Sequence, residues 1–275
     1  MATVLKKRLL LCLETNLIKM NSYNSLLEKI EHAKDLDFSN LIDSVIELFK
    51  KLWLKGFLVV LLMVGFAIVI NVLFSLIGLA PKNNLPYGGF DMESFFSFYS
   101  ETVIYSIPQT ILMSTITMAL IAAFYRICKQ YVLGEEVVDD YFYFLKKAYF
   151  SKLLMLGIIH TAITVTAQFM FLIPYIYAFV PLAYFTVVFA NNPDLSEVEI
   201  VKASFKLGNK KWLITFGTMF VAGLLGMLGL LGCGIGVLFT MSIVYLPVFF
   251  IYKEAVGFED SSQIEQIGVN DDSDY

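Results

Sequence analysis

Six long apolar stretches limit what this chain can fold into. The hydrocarbon core of a bilayer is about 30 Å thick, and a helix needs roughly 20 apolar residues to cross it. Stretches of about this length occupy residues 56–80, 103–125, 153–172, 174–190, 212–231 and 235–252. Hydrocarbon offers no partners to free backbone groups, so such segments cross a membrane as helices. The sequence therefore predicts an all-α polytopic membrane protein with six transmembrane helices.

Proline and glycine mark the two tightest turns between these spans. We expect Pro174 at the turn between the third and fourth spans, and Gly232, Gly234 and Gly236 at the turn between the fifth and sixth. Both residue types are typical of chain reversals. The two pairs of spans are therefore predicted to be helical hairpins.

The composition excludes an ordinary soluble domain and a nucleic-acid partner. Of the 275 residues, 58% are hydrophobic and 16% are charged, and the mean hydropathy is +0.72. Soluble domains carry about 25% charged residues. The 20 Lys and Arg residues against 24 Asp and Glu leave a net charge of −4, which gives no basic field for nucleic acid. The function of such a chain lies within the membrane.

Basic residues predict the orientation of the spans. Nineteen of the 20 Lys and Arg residues precede the first span, follow the sixth, or lie in the loops after the second and fourth; Lys82 is the exception. Because Lys and Arg are retained on the cytoplasmic side, both termini are predicted to be cytoplasmic. The apolar run 9–13 is too short for a secretory signal, so the first span is predicted to be an uncleaved anchor.

Three regions follow from this arrangement: a cytoplasmic N-terminal segment (1–35), a six-helix membrane domain (36–253) and a flexible acidic cytoplasmic tail (254–275). The tail is polar and lacks a long apolar periodicity. Residues 1–19 are either an artefact of start-codon choice, which we favour, or a flexible basic arm.

A short amphipathic segment precedes each odd-numbered span. The first has i, i+3, i+4, i+7 spacing over Phe38, Leu41, Ile42, Val45, Phe49, Leu52 and Trp53. The second places Tyr141, Phe144, Leu145, Ala148 and Tyr149 on one face. The third begins with Ser196 and Glu199 in capping-box spacing and ends at Gly208 and Asn209. The pattern predicts cytoplasmic interfacial helices and three units, each a helix followed by a membrane hairpin.

Paired lysines and aromatic residues end these segments. Long lysine side chains can reach lipid phosphates while aromatic rings lie at headgroup depth. The candidate headgroup contacts are Lys50, Lys51, Trp53, Lys146, Lys147, Lys210, Lys211 and Trp212. Membrane lipids are therefore expected partners, although we favour simple anchoring over specific recognition. The aromatic segment 81–100 is predicted to lie on the outer membrane surface, with a patch for a membrane-protein partner as the alternative.

Motifs in a fixed order occupy the stretch from Ile173 to Gly257. Pro174-Tyr175-Ile176-Tyr177 precedes Leu182-Ala183-Tyr184-Phe185-Thr186-Val187-Val188, and the run from Val201 to Trp212 and the glycine-rich hairpin follow. In these motifs the chain resembles bacterial six-helix membrane proteins related to the membrane domain attached to some glycerophosphodiester phosphodiesterases. The resemblance implies a six-helix bundle in the bacterial inner (cytoplasmic) membrane. It implies no catalysis, because that reaction belongs to a separate soluble domain.

Residues that usually carry chemistry are sparse. His32 and His160 have no metal-binding companion, and the three cysteines are dispersed along the chain. The nucleophile elbow and the phosphate-binding loop are both absent from the sequence. We therefore expect no metal, no cofactor and no enzymatic activity.

Polar residues inside the apolar spans form stripes. His160, Thr164 and Gln168 share one helical face, and Ser106, Gln109, Thr110, Ser114 and Thr117 form a second stripe, while Asn71 and Ser75 make a smaller pair. The candidate polar cavity comprises Asn71, Ser106, Gln109, Ser114, His160, Thr164 and Gln168. Such groups either line a ligand or proton pathway or hydrogen-bond between helices. We favour the second interpretation because the spans contain no charged residue.

Two functional hypotheses follow. The first is a non-catalytic inner-membrane scaffold or accessory subunit, and the alternative is a transporter or lipid-handling protein with a polar cavity between helices two and three. Gly223, Gly226 and Gly229 add a stripe of small residues to the fifth span, which either packs against the sixth span or forms a dimer face. We favour intramolecular packing.

Overall fold

The computed structural model describes residues 20–79, 92–170, 172–232 and 234–258, and the side chains of residues 92–105, 172 and 173 lie outside this description. The described residues form helices and turns without a strand. Six helical segments are long and apolar enough to cross a membrane, which confirms the predicted all-α polytopic fold. They are Phe38–Leu76, Ser106–Leu133, Lys147–Phe169, Pro174–Asn191, Trp212–Leu231 and Gly236–Val256.

The helices are named α1 to α9 along the chain. They are α1 (20–31), α2 (Phe38–Leu76), α3 (Met92–Leu133), α4 (Lys147–Phe169), α5 (Leu172–Asn191), α6 (Glu197–Lys210), α7 (Trp212–Met227), α8 (Gly236–Thr240) and α9 (Leu246–Val256). Short 3-10 helices at Tyr143–Leu145, Leu228–Leu231 and Met241–Tyr245 connect some of them. Residues 1–19, the part of the outer segment at 81–91 and the tail from 259 lie outside the described residues.

The first amphipathic segment and the first span form one continuous helix. The carboxylate of Asp37 accepts a hydrogen bond from the Asn40 backbone N–H at 2.8 Å and caps α2, whose 39 residues span about 58 Å at 1.5 Å per residue. The buried stripe comprises Leu41, Val45, Leu48 and Leu52 and continues to Gly56 and Val59. Phe38 and Trp53 share the predicted apolar face, but they are 43% and 44% exposed and lie outside the buried stripe. A single helical register carries the buried stripe from Leu41 to Val60, and Ile70 is the one buried residue of α2 beyond it.

The second amphipathic segment does not form a helix of useful length. Tyr143–Leu145 is a single 3-10 turn, Lys146 is extended, and α4 begins at Lys147. Aromatic contacts rather than a helical face organise this turn, because the Phe144 ring packs edge-on against Tyr149 at 5.2 Å and lies 5.1 Å from Phe189. The prediction of three equivalent units was therefore wrong.

The third segment is α6, and it begins where the capping box predicted. Glu199 accepts hydrogen bonds from the Ser196 backbone N–H and hydroxyl at 2.8 and 2.7 Å, and Ser196 caps the backbone N–H of Glu199. From this start α6 runs back along α5. Its buried face, Ile200, Ala203, Ser204, Leu207 and Gly208, packs against protein.

Pro181 and Gly208 let α5 and α6 approach closely. A methyl group on Gly208 would lie 2.6 Å from Pro181 Cα, so only glycine fits there. Pro181 has no N–H and leaves the Tyr177 carbonyl without its usual helical donor. The Trp212 indole N–H donates to that carbonyl at 3.1 Å, and the Tyr177 hydroxyl donates to Asn209 at 2.6 Å. We call these five residues the α5–α6 corner.

The two predicted hairpins differ in detail. α5 begins at Leu172, so Pro174 lies in its first turn and not in the turn between the two spans. Gly234 adopts a φ of 81° at the second reversal, as expected for glycine. Gly226 faces Ile243 and Val244 of the sixth span and Gly229 faces Gly236, whereas a methyl group on Gly223 would have no atom within 4 Å. Two of the three glycines in the stripe therefore pack intramolecularly.

Candidate functional site

A cavity of about 600 Å³ lies between the second, third, fourth, fifth and sixth spans. Its described wall residues come from five segments. They are Ser106, Gln109, Thr110, Met113, Ser114, Thr117, Met118, Ile121 and Tyr125 of α3; His160 and Thr164 of α4; Tyr175, Phe179, Leu182, Ala183 and Thr186 of α5; Met219 of α7; and Val244, Tyr245 and Val248 of the sixth span. This volume is within the range of small-molecule sites.

The cavity brings together most of the polar residues predicted from the sequence. The whole stripe of the second span lines it, and so do His160 and Thr164 of the third. The Thr110 hydroxyl donates to the Ser106 carbonyl of its own helix at 2.9 Å. The polar residues of α3 lie between positions 106 and 117, and the apolar residues Met118 and Ile121 follow. The wall is therefore polar at one end of α3 and apolar towards the other.

Close packing of α3 against α4 brings the two stripes to the same level. A methyl group on Gly157 would lie 3.2 Å from the Ile111 carbonyl oxygen, so the two helices touch there. The Thr115 hydroxyl, which faces the same glycine, donates to the Ile111 carbonyl at 2.8 Å. Since the chains run in opposite directions, His160 lies one turn beyond this contact, near Gln109.

Buried polar atoms without partners mark the cavity wall. Gln109 Oε1, His160 Nδ1 and Thr164 Oγ1 are buried and have no hydrogen-bond partner. In the part of the chain that the structure describes, three further atoms share this state, on Tyr141, Thr161 and Ser242, and none of those residues lines the cavity. A buried polar group without a partner costs about 1–3 kcal/mol. Three of the residues that line the cavity therefore carry a buried side-chain atom without a hydrogen-bond partner.

Tyr125 and Tyr245, which were not among the predicted cavity residues, line the cavity, and other aromatic rings contact wall residues from outside it. The Tyr125 hydroxyl donates to the Tyr245 carbonyl at 3.0 Å, and the Tyr125 ring stacks on Phe249 at 5.9 Å. The His160 ring lies edge-on to Phe185 at 6.2 Å. In the sequence, apolar wall residues look like the other apolar residues of a span. Only the packing of the helices shows which of them line the cavity.

Two candidate cavity residues lie elsewhere. Asn71 is exposed on α2, and Gln168 is half-buried on α4 outside the cavity wall. Gln168 is two turns beyond His160, and Asn71 lies on a helix that contributes no residue to the wall. The structure does not bring these two predicted residues to the cavity wall, because polarity identifies a helical face but not the neighbour that faces it.

The candidate headgroup residues fall into two groups: some are exposed, and the others bind or pack against protein. Lys50, Lys51 and Lys147 are exposed, and Trp53 packs near Phe239 at 6.1 Å. The Lys146 ammonium binds Asp140 at 2.8 Å. Trp212, in contrast, belongs to the α5–α6 corner.

Lys210 and Lys211 bind protein rather than an open surface. Lys210 donates to the Glu31 carbonyl, and Lys211, which is 4% exposed, donates to the Lys34 carbonyl at 2.5 Å. Lys206 pairs with the Glu31 carboxylate at 3.0 Å and lowers the pKa of that group through its hydrogen bond and charge. These contacts attach the end of α1 to α6.

No group of three or more His, Cys, Asp or Glu residues is placed to hold a metal ion within the described ranges. No protein-family model matches the chain, and no curated protein or solved structure is significantly similar to it. The link to the phosphodiesterase membrane domains stays a prediction. We therefore infer the function of the chain from the cavity.

Proposed function

We propose that this chain is a multi-pass protein of the bacterial inner membrane that binds a small molecule in the cavity and acts as a transporter or lipid-handling protein. One observation carries the proposal: three residues on the wall of a 600 Å³ cavity each have a buried polar atom without a hydrogen-bond partner. Hydrogen bonding between helices would have paired those atoms with each other or with backbone. A guest molecule that supplies the missing partners accounts for them.

The proposed orientation places both termini in the cytoplasm. It is supported by the distribution of Lys and Arg, of which one residue in 20 falls on the opposite face. Fusion of a reporter protein to either terminus should give a cytoplasmic signal, and a periplasmic signal from either fusion would contradict this orientation.

A scaffold without a ligand is the competing hypothesis. It gives the cavity no role, whereas the proposed function gives the polar side chains of Gln109, His160 and Thr164 on its wall a guest to bind. A scaffold would instead co-purify with a protein partner in fixed ratio.

Native mass spectrometry after gentle extraction tests the proposal. The wild-type chain should retain a small molecule, and Ser114→Phe should lose it because the new ring fills the cavity. Ser151→Phe is the matched control, since Ser151 is exposed on α4 and should leave the bound mass unchanged. A bare wild-type chain, or retention that Ser114→Phe does not reduce, would contradict the proposal.

A further inference from the structure

The polar end of the cavity presents three different hydrogen-bonding groups. The Gln109 amide oxygen accepts, the Thr164 hydroxyl donates or accepts, and the His160 Nδ1 atom does one or the other according to its tautomer. All three are buried without partners. A hydroxyl group can satisfy each of them, because it both donates and accepts. A headgroup with two or more hydroxyls therefore fits this end.

The part of the wall that the structure describes offers no counter-ion for a charged headgroup. None of these described residues is Asp, Glu, Lys or Arg. A charge buried without a partner costs several kcal/mol even after the surroundings relax. The lack of fixed charge on the described part of the wall favours an uncharged guest, and His160 is the one imidazole among the described wall residues.

The apolar end suits a hydrocarbon chain. Met118 and Ile121 follow the polar residues along α3, Val244 and Val248 flank Tyr245, whose carbonyl binds Tyr125, and Met219 also lines the cavity. The wall extends along α3 from Ser106 to Tyr125, a distance of about 28 Å at 1.5 Å per residue. Flexible methionine side chains adapt to irregular apolar shapes. A linear chain can therefore lie along α3 with its headgroup at Gln109.

The volume limits the number of chains. At about 30 Å³ for each water-sized group, 600 Å³ holds about 20 non-hydrogen atoms. A glycerol headgroup esterified with one chain of about 14 carbons has this size. A glycerolipid with two such chains is nearly twice as large and would leave much of itself outside the cavity.

We infer that the guest is an uncharged single-chain amphiphile with a hydroxyl-bearing headgroup, of the monoacylglycerol class, whose hydroxyls bind Gln109, His160 and Thr164. This inference rests on the proposed function and adds the ligand class to it. The hydroxyls bind the unpartnered polar atoms while the chain occupies the apolar end. Uncharged glycerides from lipid turnover and uncharged glycolipid fragments share this chemistry.

Binding of defined amphiphiles to the full chain in nanodiscs tests the inference. Monomyristoylglycerol should bind saturably, and myristate, tetradecylamine and dimyristoylglycerol should each bind at least tenfold more weakly. Gln109→Leu and Thr164→Val should each weaken monomyristoylglycerol binding about three- to tenfold by removing one hydrogen bond. Thr166→Val is the matched control, because Thr166 is exposed on the same helix and should not change the affinity. A lowered melting temperature identifies a variant that fails to fold, and the affinity of the other variant then tests the inference.

The outcomes separate the ligand class from the proposed function. Equal or tighter binding of myristate or tetradecylamine overturns the uncharged headgroup, and equal binding of dimyristoylglycerol overturns the single chain, while the proposed function stands in both cases. Unchanged affinity in both folded variants overturns the assignment of the polar end. A wild-type chain that binds none of the four probes but retains another molecule overturns the class alone. Failure to bind any probe and to retain any molecule overturns the proposed function as well.

Discussion

The cavity wall and the α5–α6 corner both contain polar groups, but these groups differ in their hydrogen bonding. At the corner, the Tyr177 carbonyl that Pro181 leaves free receives the Trp212 indole, and the Tyr177 hydroxyl reaches Asn209. On the cavity wall, Gln109 and His160 keep buried atoms without partners. Polar groups that bind each other hold helices together, whereas these two wall atoms have no partner in the described part of the protein. Substitutions at the corner should therefore change stability, and substitutions on the wall should change binding.

The largest effect on stability is expected from Gly208→Ala. The added methyl group would meet the backbone of Pro181 at 2.6 Å, and backbone cannot move aside cheaply. We expect a loss of about 3 kcal/mol, at the upper end of the range for overpacking. Thermal unfolding in detergent measures it, with Gly223→Ala as the matched control because no atom lies near a methyl group there. Equal melting temperatures for the two variants would show that the corner is not tightly packed.

Lys211→Ala should have the next largest effect. The buried Lys211 ammonium donates to the Lys34 carbonyl and lies 3.5 Å from Asp35, so its removal leaves α1 without this attachment. Loss of a hydrogen bond from a charged group costs about 2 kcal/mol. Limited proteolysis between α1 and α2 should become faster, whereas Lys202→Ala, at an exposed position of α6, should leave the rate unchanged. If both variants are cut at the wild-type rate, Lys211 does not hold α1 in place.

Trp212→Phe should have a smaller effect. Phenylalanine keeps a ring that can stack on Phe216 as Trp212 does at 5.1 Å, but it cannot donate to the Tyr177 carbonyl. The expected loss of stability is about 1 kcal/mol. Ligand binding should stay at the wild-type level, and a variant that binds less ligand without melting earlier would remove the distinction between corner and wall.

The smallest effect concerns the turn before α4. The hydrogen bond and charge of Lys146 lower the pKa of Asp140 below the ordinary value for an aspartate. Stability from this pair is therefore present above the pKa of the unfolded carboxyl and is lost as the pH falls through the lowered value. Because the pair is largely exposed, we expect only a few tenths of a kcal/mol. Between about pH 3 and 7, the melting temperature should depend slightly less on pH in Asp140→Asn than in the wild type, and Asp43→Asn should behave like the wild type. The same pH dependence in all three proteins would refute the contribution of this pair.

Sequence patterns predicted the fold well and the site in part. Apolar length alone located the six spans, and i, i+4 spacing brought His160 and Thr164 to the same wall. Asn71 was misplaced because a polar residue does not reveal which neighbour its helix face meets. Tyr125 and Met219 were missed because apolar and aromatic wall residues look like any other residues of a span. The corner also required the structure, since the pairing of Pro181 with Gly208 joins positions that no local pattern connects.

The length and exposure of α2 bear on how the chain enters the membrane during synthesis. Its apolar window has a mean hydropathy of 3.0 and is 17% buried in protein, whereas the window of the fourth span has 1.3 and is 56% buried. The first span therefore gains little stability from contacts with its neighbours and can enter the lipid from the translocon by itself. The fourth span needs earlier spans to cover its less apolar surface. A truncated chain ending after residue 79 should insert stably in an in vitro translocation assay, and the isolated fourth span should not. Biogenesis then proceeds from one self-sufficient anchor to helices that are recruited around it.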